Sequence, residues 1–97
     1  MAVTVTLALV IKKERLDEFK GMMKDSLPDT RAFEGCQSVD VYQNQDNPGE
    51  LFLVELWDSK EHQQKYVAWR EETGMMDALG TFLVAPPTFA FYDELDV

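Results

Sequence analysis

Two runs of this chain, AVTVTLALVI (residues 2–11) and LFLVELW (51–57), alternate with the period of a strand yet are apolar on both faces. In the first, Val3, Val5, Leu7, Leu9 and Ile11 oppose Thr4, Thr6, Ala8 and Val10. In the second, Phe52, Val54 and Leu56 oppose Leu51, Leu53, Glu55 and Trp57. An antiparallel sheet ordinarily leaves one face to water. A sheet built on these strands has to be covered on both sides, and that requirement restricts the fold more than any other feature.

Between the strands the period changes. Leu16, Phe19, Met23 and Leu27 fall at helical spacing within residues 13–27, with Asp17, Glu18, Lys24 and Asp25 off the stripe; Pro28 is expected to stop that helix. PDTRAFEG then makes a turn closed by Gly35. CQSVDVYQN (36–44) alternates again, QDNPGE is turn chemistry, and residues 51–57 complete a hairpin. Asp58 or Ser59 caps a second helix reaching about residue 72. Gly74 interrupts it, Met75, Met76, Leu79, Phe82 and Leu83 mark a further helical piece, and TFAFYDE is the last strand. The order β-α-β-β-α-β predicts an α+β, ferredoxin-like domain with a four-stranded antiparallel sheet. Two helices cover one face of such a sheet. A second copy, docked sheet to sheet, covers the other most simply, so a homodimer is expected.

The 97 residues fit one domain, 1–97, with a thin core. Acidic residues outnumber basic ones 18 to 9, a net charge of −9, which disfavours nucleic acid and anionic membrane as partners. A single cysteine, Cys36, excludes an intramolecular disulfide, and a single histidine, His62, excludes a histidine-pair metal site. The apolar N-terminal run precedes its lysines and is too short to span a bilayer, so the expected location is cytoplasmic. Neither a Gly-rich phosphate loop nor a G-x-S-x-G nucleophile motif is present.

The stretch VELWDSKEHQQKYVAWR (54–70) concentrates the chemistry. On a helix, His62, Tyr66, Trp69 and Thr73 form one stripe with Arg70 at its edge, and Glu55 stands on the facing strand between Leu53 and Trp57. Aromatic bodies with polar tips, facing a carboxylate on an apolar strand face, read as the lining of a pocket. The same residues also have plain structural uses: Tyr66, Trp57 and Trp69 as core aromatics, Glu55 paired with Arg70 or Lys65, His62 at a helix start.

TRAFEGC followed by a strand, then LFLVELWDSKE running into a helix, resembles the antibiotic biosynthesis monooxygenase family, with Glu34-Gly35-Cys36 and Glu55-x-Trp57-x-Ser59 the most telling pieces. The likeness spans residues 3 to 92. It implies a dimeric α+β barrel that oxygenates small polyphenols or quinols with O2, without flavin, metal or heme. Within that chemistry His62 or Glu55 is the base, Arg70 and Tyr66 hold the developing anion, and Trp57, Trp69 and Met75 cage the substrate. The family's heme-degrading branch keeps a tryptophan matching Trp57, but its iron-binding histidine falls near Leu79, and leucine cannot ligate iron. Many members carry a histidine near Tyr66, so the proton acceptor is displaced or missing here. The family also contains isomerase-like and non-catalytic stress-response members, and a binding domain or an isomerase of a small carbonyl compound are the rival functions.

Overall fold

The computed structural model describes residues 2–97. Strand β1 (Val3–Val10) passes through one 3-10 turn (Lys13–Arg15) into helix α1 (Leu16–Ala32). Strands β2 (Cys36–Gln43) and β3 (Glu50–Trp57) form the hairpin. Helix α2 (Lys60–Glu72), a short helix α3 (Met75–Gly80) and strand β4 (Thr88–Tyr92) complete the chain. The sheet order is β2-β3-β1-β4 with every neighbour antiparallel, the ferredoxin-like arrangement expected from the element order.

Register decides which face each residue takes. Val3, Val5 and Leu7 lie opposite Trp57, Glu55 and Leu53, and this set is buried beneath the helices. Thr4, Thr6 and Ala8 lie opposite Leu56, Val54 and Phe52 on the other face, which no helix among the described residues covers. The main core joins Leu9, Ile11, Leu51 and Leu53 to Phe19 of α1 and to Phe82, whose rings stand 5.3 Å apart. A smaller cluster of Val3, Val5 and Trp57 is backed by Phe33 and Tyr66.

The helix expected to stop at Pro28 instead continues through it to Ala32. Pro28 cannot bond the Lys24 carbonyl, and its ring crowds the preceding turn, a cost of about 3 kcal/mol in a helix interior. Long-range hydrogen bonds hold the last turns in place. Arg70 Nη2 donates to the Ser26 carbonyl at 2.9 Å, Arg31 Nη2 donates to the Val39 carbonyl at 3.0 Å, and Thr30 bonds Tyr66. Tertiary bonding overrides the local signal.

Ser59 caps α2, its Oγ accepting from the His62 backbone N–H at 3.2 Å. His62 packs over Gly35, which has φ +90 and whose carbonyl accepts from Asp58 N–H at 2.7 Å. A Cβ at Gly35 would run into the imidazole ring. Gly35→Ala is therefore expected to lower stability by about 1–3 kcal/mol, from backbone strain alone. A urea unfolding midpoint matching that of the parent protein would contradict this.

Candidate functional site

Between the sheet and the helices lies a cavity of about 90 Å³ whose wall is mostly apolar. Leu7, Leu9 and Leu53 form its floor; Phe19, Leu27 and Leu79 close its sides. Met22 and Met23 of α1 and Met75 and Met76 of α3 also reach it, so every methionine after the first residue lines this one space. The polar groups on the wall are few: Glu55 from β3, Ser26 and Thr30 from α1, and Gln63, Tyr66 and Arg70 from α2.

Glu55 is 6% exposed. Its cross-strand neighbours are Val5 and Val39, both buried, and Leu53 and Trp57 flank it on its own strand. Burial in this apolar setting pushes the carboxyl above the usual carboxylate range. A hydrogen bond from Trp57 Nε1 to Oε1, 2.8 Å long, acts weakly in the other direction. That bond is the only one to the carboxyl among the described residues. No buried side-chain polar atom among these residues is sealed off without a partner, so the second oxygen opens onto the cavity.

Arg70 is also 6% exposed. Its Nε donates to Tyr66 Oη at 2.8 Å, and Nη2 donates to the Ser26 carbonyl and to Thr30 Oγ1 at 2.9 and 3.0 Å. Tyr66 and Thr30 bond each other at 2.6 Å. Every one of these partners is neutral. Among the described residues the one ion pair is Arg15–Glu18 on the surface, so neither Glu55 nor any other carboxylate pairs with this buried cation. Burying a charge without a counterion is costly unless a ligand completes it. The guanidinium rests 4.5 Å from the Trp69 ring centroid, which fixes its plane.

The arrangement places a carboxyl with a raised pKa and an uncompensated guanidinium on the wall of one apolar cavity. It suits proton removal from a ligand and stabilisation of the oxyanion that results. Three acidic, cysteine or histidine side chains placed to hold a metal ion are not found together among the described residues.

The antibiotic biosynthesis monooxygenase family profile matches residues 2–77. The chain belongs to this family. Solved structures agree on the fold. A conserved protein from Methanosarcina mazei Go1 superimposes with a TM-score of 0.88 at 23% identity, over 98% of this chain and 94% of that one. Rv0793 from Mycobacterium tuberculosis gives 0.86 at 23% identity, over 100% and 98%. SnoaB, a cofactor-independent oxygenase from Streptomyces nogalater, gives 0.84 at 10% identity, over 99% and 95%. Identities this low speak for the fold alone. Among curated proteins none matches.

Of the residues singled out from the sequence, Glu55, Tyr66, Arg70 and Met75 meet at the cavity of this family member. Trp57, Trp69 and His62 lie outside its lining. Trp57, fully buried, holds Glu55, and Trp69 supports Arg70. Phe33 stacks against both tryptophans and Tyr66, with centroids 5.3 to 6.3 Å apart. The His62 Nδ1 is engaged by Ser59 Oγ at 2.6 Å. The inward stripe of α2 is thus set one residue from the sequence reading: Gln63 and Arg70 are its buried members, with Tyr66 and Val67 between them. Gln63, Ser26 and Thr30 were not legible as site residues. The available signal was Val67, the one branched aliphatic side chain of α2, with Gln63 and Arg70 one turn away on either side.

Proposed function

We propose that this chain is a cofactor-independent monooxygenase that oxidises a small polyphenol or quinol-type aromatic with O2. The observation that carries the reading is the pair of buried, mutually unpaired groups, Glu55 and Arg70, on one apolar cavity. Family membership supports it. Glu55 in its ionised form accepts the phenolic proton, and its raised pKa makes it a stronger base than an exposed carboxylate. Arg70 and the Tyr66 hydroxyl hold the phenolate oxygen. The phenolate passes one electron to O2, and the substrate radical and superoxide combine into a peroxide at carbon. Glu55 returns its proton to this peroxide, whose carbon carries hydrogen, and loss of water leaves a carbonyl. One oxygen atom ends in the product and the other in water, and the substrate supplies all four electrons. Apolar walls keep bulk water from the radical and peroxide.

An aromatic ring needs more room than the cavity provides at rest; a protein cavity of about 150 Å³ is of the size that admits benzene. The part able to give way is the methionine wall and α3, which follows Gly74 in the left-handed conformation, φ +80. The direct test is an oxygen electrode with a panel of hydroquinones and anthrones. Uptake that follows the substrate added supports the reading. Ligand-induced melting shifts without uptake would favour a binding domain instead.

The uncovered sheet face supports a homodimer joined sheet to sheet. Tyr42, Phe52 and Tyr92 on that face are 56%, 43% and 54% exposed, a patch of aromatics that a lone domain gains nothing by displaying. Phe52→Asp is expected to convert the dimer to monomer with the helix-side core intact. Sedimentation of the parent protein as a folded monomer at micromolar concentration would contradict this.

A further inference from the structure

One polar side chain of the cavity plays no part in the reaction described. Gln63 is 3% exposed, yet its amide makes no hydrogen bond among the described residues. Since none of their buried side-chain polar atoms is sealed off without a partner, the amide opens onto the space it borders. It borders two. Gln63, Val67 and Phe89 line the cavity and also an outer groove between α2 and β4, so Gln63 stands where the cavity meets the surface. Arg70 stands seven residues further along the same helix face. Two helical turns separate them by about 10.5 Å.

We propose that Gln63 is a specificity-determining residue, and that the pocket takes an aromatic ring with oxygens on opposite edges. One oxygen is ionised and held by Arg70; the other is neutral and held by the Gln63 amide. The inference rests on the cavity being the substrate site, as read above. Both anchors line the cavity from one face of α2, two helical turns apart, so a ring lying along that helix meets one of them at each edge. A carboxamide both donates and accepts, so it bonds a phenolic hydroxyl or a quinone carbonyl at the far edge and leaves charge discrimination to Arg70. An amide buried without a partner also penalises any ligand that lacks the far oxygen.

The test uses two anionic probes, 4-hydroxybenzoate and benzoate, which differ only in the far hydroxyl, with binding read by calorimetry at neutral pH. The full chain is expected to prefer 4-hydroxybenzoate by about tenfold, the worth of one hydrogen bond to a buried amide. Gln63→Leu should level the two affinities to within about twofold, with benzoate bound no more weakly than by the parent chain because the penalty of its unpaired amide is gone; Gln63→Met serves should the leucine variant fail to fold. Failure of either probe to bind, no preference in the parent protein, or a preference that survives in the variant would overturn the proposal. Binding is measured without turnover. Absence of oxygen uptake with every aromatic would sink the oxygenase reading and leave this preference standing, and the reverse also holds.

Discussion

Glu55→Gln is expected to remove turnover and, at neutral pH, to leave the protein as stable as its parent or more stable. Glutamine keeps the volume and still accepts from Trp57 Nε1, so the packing around Val5 and Val39 is preserved. What it loses is the ability to take a proton, worth about 10²- to 10⁴-fold in rate for a general base. The stability effect follows from the raised pKa. Glu55 holds its proton more tightly folded than unfolded, so the folded state binds more protons between the two pKa values. Stability contributed by the neutral form is fully present below the ordinary carboxylate pKa. It declines as pH rises through the unfolded value toward the raised folded one, and above that the ionised group remains a standing cost. Glutamine never ionises. The melting temperatures of parent and variant should coincide in acid and separate, in favour of the variant, as pH rises. Parallel curves would show that Glu55 is not held in the apolar setting described.

Arg70→Met is expected to cost about 10²- to 10³-fold in kcat/KM, the usual loss when the main oxyanion donor is removed. Its effect on stability is expected to be the smaller one. Three charge-assisted hydrogen bonds disappear, but so does a buried cation with no counterion, and the two changes oppose each other. The Ser26 carbonyl and Thr30 Oγ1 each lose a long-range donor, but Thr30 and Tyr66 remain bonded to one another. Trp57→Ala provides the contrast. It empties a site with no exposure and strips Glu55 of its one donor, so unfolding should be easier by about 3–5 kcal/mol. If Arg70→Met were to unfold the protein as severely as Trp57→Ala, the guanidinium would be a structural strut.

The strands, the hairpin and the order of elements could be read from period and turn chemistry, because those signals are local. Three things could not. Pro28 is a reliable helix stop only where nothing distant holds the following turn, and here Arg70 and Tyr66 reach across from α2 to hold it. The phase of α2 was set one residue off because the helix has almost no aliphatic stripe; its aromatics drew the reading to Trp69, whereas the buried residues are a glutamine and an arginine. The roles of the two tryptophans were misjudged for a related reason. Each stands beside a charged group and orients it, and that relation depends on strand register and helix packing that no spacing rule reports. The Glu55–Arg70 pocket itself was legible because a carboxylate on an apolar strand face and an arginine beside an inward helix stripe are both local departures from pattern.

The central claim is that Glu55 and Arg70 let an aromatic substrate reduce O2 directly within this cavity. Isotopically labelled O2 tests it most directly, with the quinol or anthrone of fastest oxygen uptake as substrate and the product analysed by mass spectrometry. One labelled atom per product molecule, with the other recovered in water and incorporation abolished in Glu55→Gln, is the predicted result. Product oxygen drawn from solvent, or label incorporation that proceeds at the parent rate in Glu55→Gln, would contradict it.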